Sequence, residues 1–85
     1  MIRGTELLAV ELWISKRLVE HGVPHITAGL TDARMRRERI RQGIVDNGLS
    51  AVIVGRNPKD RKPETYAQLF ERVYGMRLNE SRGDI

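Results

Sequence analysis

The run Pro63–Gly75 constrains this chain more than any other stretch. Its apolar residues Tyr66, Leu69, Phe70, Val73 and Tyr74 fall at i, i+3, i+4, i+7 and i+8, the spacing of one helix face. Pro63 suits the first helical position and Gly75 a helix stop, so the pattern predicts a helix over about Pro63–Tyr74. Burying that stripe contributes on the order of 10 kcal/mol gross, before conformational entropy is subtracted. The rest of the chain must cover it. With 85 residues, the chain has room for one domain with a small core. We assign that domain to 1–78 and read the polar end, 79–85, as a frayed tail.

Two further helices are expected. The first runs over about Thr5–His21, with Thr5 as N-cap, Gly22 as stop and Pro24 just beyond. It carries two apolar stripes. Leu7, Val10, Ile14 and Leu18 form one; Leu8, Leu12 and Val19 form another about 120° around, with Glu11 and Ser15 between them. Trp13 lies outside both. Two stripes mean a helix that is either central or shared with a second subunit, and so short a chain favours sharing. Leu8, Leu12, Trp13 and Val19 are therefore the candidate interface residues. The second helix, about Asp32–Asn47, is capped by Thr31 or Asp32 and stopped by Gly48. Its narrow stripe, Ala33, Ile40 and Ile44, places it at the edge of the fold, and Gly43 marks a close crossing.

Between the second and third helices, Val52-Ile53-Val54 is β-branched and reads as a short strand at about 51–55. A strand needs a partner for its backbone groups. The β-compatible segment His25-Ile26-Thr27 or a symmetry mate could supply one. The expected fold is thus mainly α, a compact three-helix bundle with a possible short strand. The alternative is α+β, with that strand paired in a dimer.

Composition narrows the function. The chain has no cysteine, which removes disulfides and thiolate metal sites and suits a reducing, cytoplasmic setting. Its apolar N-terminus is interrupted by Glu6 and Glu11 and lacks a small-residue cleavage pattern, so it reads neither as a signal peptide nor as a membrane span. Lys and Arg total 15 against 11 acids, for a net charge of +4, and twelve of those 15 are arginine. Arginine's planar fork grips phosphate or carboxylate with two hydrogen bonds, where lysine offers a point charge.

Five of the arginines crowd the second helix: Arg34, Arg36, Arg37, Arg39 and Arg41. Arg34, Arg37 and Arg41 share one flank of the apolar stripe, and Arg36 and Arg39 take the other. A helix so decorated could straddle a groove with phosphates on both walls. The ordinary reading is a solvated face that pairs with its own acids, Glu38 with Arg34 and Arg41, and Asp32 with Arg36. Docking on an acidic protein surface is a third. The loop Arg56–Lys62 adds Arg56, Lys59, Arg61 and Lys62 beside the start of the third helix, where free N–H groups could hold a phosphate. Its alternative is a solvated connector.

Other chemistry is thin. His21 and His25 have metal-binding spacing, but Gly22 and Pro24 break the helix between them, so no metal and no cofactor are expected. The connection 22–30 is longer than the tight turn of a helix-turn-helix. No glycine-rich nucleotide loop, paired carboxylates or serine–histidine pairing is recognisable, and no small-molecule substrate or enzyme activity is indicated. Glu71 and Arg72 sit opposite the third helix's apolar stripe and should be exposed. Tyr66 and Tyr74 should be core residues with hydroxyls at the edge.

Val54-Gly55-Arg56-Asn57-Pro58-Lys59, followed by Lys62-Pro63-Glu64-Thr65-Tyr66-Ala67-Gln68-Leu69-Phe70-Glu71-Arg72-Val73-Tyr74-Gly75, resembles small uncharacterised proteins encoded by bacterial phages and prophages. The resemblance implies a small accessory protein that regulates transcription or blocks a host machine. Two functions follow from the sequence. One is a basic, dimeric, helical DNA-binding or nucleic-acid-associated protein using the second helix and the Arg56–Lys62 loop. The other is a protein-binding module, such as an inhibitor of a host protein, using Leu8, Leu12, Trp13 and Val19.

Overall fold

The computed structural model describes residues 4–24 and 32–78. In chain order it contains α1 (Gly4–Glu20), α2 (Ala33–Asp46), β1 (Ile53–Arg56), β2 (Pro63–Thr65) and α3 (Tyr66–Tyr74). The fold is mainly α with a two-stranded antiparallel hairpin, in keeping with the sequence. The segment 25–27, considered above as a strand partner, and His25, Thr31 and the tail 79–85 lie outside the described residues.

The helix ends follow from residue chemistry. Gly22 and Gly48 both take positive φ, 85° and 65°, conformations that a Cβ would penalise. Each follows the last turn of a helix and reverses the chain onto it. After α1, the Gly22 and Val23 amides donate to the Val19 and Leu18 carbonyls; after α2, the Gly48 and Leu49 amides donate to those of Val45 and Ile44. These paired hydrogen bonds satisfy carbonyls that a helix terminus would leave bare. They also turn Val23 and Leu49 inward, and both are buried. At the start of α2 the cap is Asp32, whose carboxylate accepts from the Arg34 and Met35 amides.

The core collects residues from every helix and from the hairpin. Ile14 and Leu18 of α1, Ile40 and Ile44 of α2 and Val54 of β1 close on Tyr66, Leu69, Phe70, Val73 and Tyr74 of α3. The stripe of α3 is buried throughout, and the Phe70 and Tyr74 rings meet at 4.7 Å. Leu7 and Val10 pack at the margin of the core, completing the first stripe of α1. Ala33 is exposed, so the stripe of α2 is shorter than its spacing implied; Gly43 and Arg41 are buried in its place.

The strand has its partner within the chain. β1 pairs with β2 in the register Ile53↔Thr65, Gly55↔Glu64 and Arg56↔Pro63, with a bulge between Ile53 and Gly55. The sequence reading has Pro63 open the third helix and looks for the partner of β1 elsewhere. Pro63 instead opens an edge strand, a place where its missing N–H is tolerated. α3 begins at Tyr66, behind a capping box: Thr65 Oγ1 accepts from the Gln68 amide, and Gln68 Oε1 accepts from the Thr65 amide. No helix among the described residues is long and apolar enough to cross a membrane.

Candidate interaction surfaces

The arginine cluster of α2 is largely turned on the chain's own acids. Arg36 Nε donates to Glu11 Oε1 of α1 at 2.7 Å, and Glu11 is almost fully buried. Arg41, itself buried, pairs with Glu38, while Arg37 Nε lies 3.5 Å from the other Glu38 oxygen. The hydrogen bond from Arg41, helped by Arg37, holds the Glu38 carboxyl below its ordinary range against the opposing effect of burial. Two expected pairings change. Asp32 is used as a helix cap, so Arg36 reaches across to Glu11, and Glu38 takes Arg37 in place of Arg34.

Arg34 and Arg39 remain exposed, without an ion pair among the described residues. They stand about 140° apart around the helix, which does not make one basic face. The signal for the Glu11 pairing was present in the sequence. An acid at a helix position flanked by apolar residues on both sides must find a cation when it is buried.

Glu11 also ties α3 to the other helices. Its Oε2 accepts from the Tyr74 hydroxyl at 2.7 Å, so one carboxylate holds all three helices. Desolvation first, and then this hydrogen bond to Glu11, pushes the Tyr74 phenol well above its usual range. The hydroxyl, bonded to a buried carboxylate, is interior, not at the edge as expected. The same is true of Tyr66, whose hydroxyl is buried without a hydrogen-bond partner among the described residues; desolvation raises its pKa too. His21 packs edge-on against the Tyr66 ring at 5.7 Å.

The basic loop is built, not slack. The Asn57 amide donates to the Lys62 carbonyl, and the Arg61 amide to the Asn57 carbonyl. Asn57 Oδ1 accepts from the Lys59 amide, Asp60 Oδ1 accepts from the Lys62 amide, and Arg56 Nη1 donates to the Arg61 carbonyl at 2.7 Å. Arg61 takes a left-handed φ of 62° within this frame. Lys59, Arg61 and Lys62 are exposed, with no carboxylate partner among the described residues. The phosphate position expected at the start of the third helix is closed. The Tyr66 amide donates to the Val52 carbonyl and the Ala67 amide to that of Ser50, while the Thr65 and Gln68 amides serve the capping box. No first-turn N–H is left for an anion.

Arg72 departs from the expected exposure. Its Nε and Nη2 donate to the two oxygens of Glu64, at 2.9 and 3.1 Å, and Asn57 Nδ2 donates to the same carboxylate at 3.3 Å. Glu64 is only 4% exposed, and its hydrogen bond raises the Arg72 pKa. This group joins β2, the loop and α3, and it floors a cleft of about 580 Å³ between the loop and α3.

The second stripe of α1 is uncovered. Leu8 is 49% exposed, and Leu12 and Val19 are each 46% exposed, all along one side of the helix. Trp13, 43% exposed, is separate from them. Its ring lies over Gly55 of β1, 3.4 Å from where a Cβ would sit, with the Arg17 guanidinium 5.9 Å from the ring centre. Arg17 also donates to the Val54 carbonyl and pairs with Glu20, which fixes Trp13 against the hairpin. Of the four residues grouped as an interface, the structure brings together three.

No family model matches the chain, and neither a curated protein nor a solved structure matches it.

Proposed function

We propose that this chain is a non-catalytic binding module that docks on protein through the face of α1 carrying Leu8, Leu12 and Val19. The observation that carries this reading is the exposure of three aliphatic side chains, each near one half, along one face of the longest helix. Surface aliphatics scattered singly need no explanation, whereas an aligned set on a rigid helix suits the helix-in-groove mode of recognition. The internal pairing of Arg36, Arg37 and Arg41 supports the same reading, because it removes the arginines that would have lined both walls of a DNA groove. In the phage-accessory setting implied by the resemblance, the partner would be a host protein; a second copy of the chain is the other occupant.

A photo-crosslinking residue placed at position 12 tests this. It should trap a protein, whether a second copy or a foreign chain, and the same probe at the exposed Asp46 should not. Equal yields at the two positions, or none at position 12, would end the proposal.

A nucleic-acid reading survives in narrower form, favoured by the rigid loop that holds Lys59, Arg61 and Lys62 outward. It rests on the hairpin tip, with Arg34 and Arg39 as separate contacts.

A further inference from the structure

The cleft between the hairpin loop and α3 presents charges of both signs around the ion pair of buried Glu64 with partly exposed Arg72. Its floor is Glu64, neutralised by the Nε–Nη2 edge of Arg72. A guanidinium has a second bidentate edge, formed by Nη1 with the outer hydrogen of Nη2. Arg72 makes no other hydrogen bond among the described residues, so that edge has no partner there, and the side chain is 27% exposed and lines the cleft. Lys59, Lys62 and Glu71 also line the cleft, exposed and with no side-chain ion pair or hydrogen bond among the described residues.

Charge decides what fits. A phosphate would meet Asp60, Glu64 and Glu71 as well as the cations, and a bare cation would meet Lys59, Lys62 and Arg72. Pro63 is the one wholly apolar residue in the lining, and the remaining apolar surface is the stems of side chains that end in polar or charged groups. A molecule with one charge of each sign satisfies both sets. The volume of about 580 Å³ lies within the usual range for small-ligand clefts, about 300–1,000 Å³.

We propose that this cleft binds a small zwitterion of amino-acid or dipeptide size, its carboxylate on the second edge of Arg72 and its ammonium against Glu71. Lys59 and Lys62 close the carboxylate side. The site shares no residue with the apolar face of α1 and stands independently of the docking proposal.

Titration of the isotopically labelled full chain, followed by NMR, tests it. Glycylglycine should give saturable shifts at the amides of residues 57–62 and 68–72 and at the Arg72 Nε signal, in about the millimolar range. N-acetylglycine, which keeps only the carboxylate, and glycinamide, which keeps only the ammonium, should each bind about tenfold more weakly. Glycine separates the two ligand sources: tighter binding than glycylglycine assigns a free amino acid, and weaker binding assigns a peptide. Glu71→Gln, an exposed change, should weaken glycylglycine about tenfold and leave N-acetylglycine unaffected. Non-saturating shifts, phosphate binding as tight as that of glycylglycine, or indifference to Glu71→Gln would each overturn the proposal.

Discussion

The Glu11 carboxylate on α1 accepts the Tyr74 hydroxyl of α3 at 2.7 Å, two residues 63 positions apart and both buried. With Arg36 on the other oxygen, the pair replaces what would be an apolar contact with a charged one at the centre of the helix packing. Removing Glu11 leaves the Tyr74 hydroxyl buried without its acceptor and takes from Arg36 the buried carboxylate that it neutralises. Glu11→Ala should therefore cost about 3–5 kcal/mol in urea unfolding, as expected when one partner of a buried ion pair is deleted. Tyr74→Phe removes one hydrogen bond to a charged group and should cost about 1.5–3 kcal/mol. A Glu11→Ala variant no less stable than Tyr74→Phe would show that Arg36 does not depend on this acid.

Both tyrosines titrate above their ordinary value in the folded chain, chiefly because burial disfavours the phenolate. The sign of the linkage follows. Below the unfolded pKa of about 10 both states are protonated and the contribution is fully present. As pH rises past that value the unfolded chain loses protons that the native chain keeps, so stability falls. Alkaline titration of phenolate absorbance should thus show little ionisation near pH 10, then a steep rise coincident with loss of helix by circular dichroism. A smooth ionisation near pH 10 with the helices intact would contradict the burial of these hydroxyls.

The helices were legible in the sequence because their signals are local. Glycine stops, the Asp32 cap and the spacing of Tyr66, Leu69, Phe70, Val73 and Tyr74 each act within a few residues. The hairpin was half legible. Its first strand is β-branched, but Pro63-Glu64-Thr65 is three residues long and begins with a proline that suits a helix start equally well. The deciding cue was the placement of Gln68 three residues after Thr65, the spacing of a capping box, which puts the helix start after Thr65. Charge partners were the least legible. Arg36 lies near Asp32 in sequence and pairs with Glu11 in space, because Asp32 is already held by backbone amides.

The Glu64–Arg72 pair is expected to control the hairpin tip. Arg72→Lys keeps the charge and loses the fork, so only one of the two bonds to Glu64 can be replaced. Global stability should drop by about 1–3 kcal/mol. Native-state hydrogen exchange should accelerate at the Asn57 and Arg61 amides, whose acceptors lie within the loop. Unchanged exchange at those amides would mean that the loop holds itself without α3.

On α1, two substitutions at nearby positions should behave oppositely. Ile14→Ala opens a cavity in the core and should cost about 2–5 kcal/mol. Leu12→Glu, at a position nearly half exposed, should change stability by no more than about 0.5 kcal/mol. If the face of Leu8, Leu12 and Val19 is the docking surface, Leu12→Glu abolishes partner binding while leaving the fold intact. A large loss of stability in Leu12→Glu would instead place this side chain in the core.

The salt dependence of DNA binding separates the two modes of action. The cations left without carboxylate partners among the described residues in the two basic segments include Arg34, Arg39, Lys59, Arg61 and Lys62. If all of these reached phosphates, the log–log slope of affinity against salt would be about −4 to −5, at about −0.9 per contact. Arg34 and Arg39 diverge around α2 and the others sit on the hairpin tip, so one duplex should engage only a subset, with a slope of about −3 or shallower. Lys59→Ala with Lys62→Ala should remove most of that slope, and Arg37→Ala with Arg41→Ala should leave it unchanged while lowering stability. A slope steeper than about −4 that collapses on loss of Arg37 and Arg41 would mean that these guanidinium groups leave Glu38 to grip phosphate, and the arginine helix would then be the working surface.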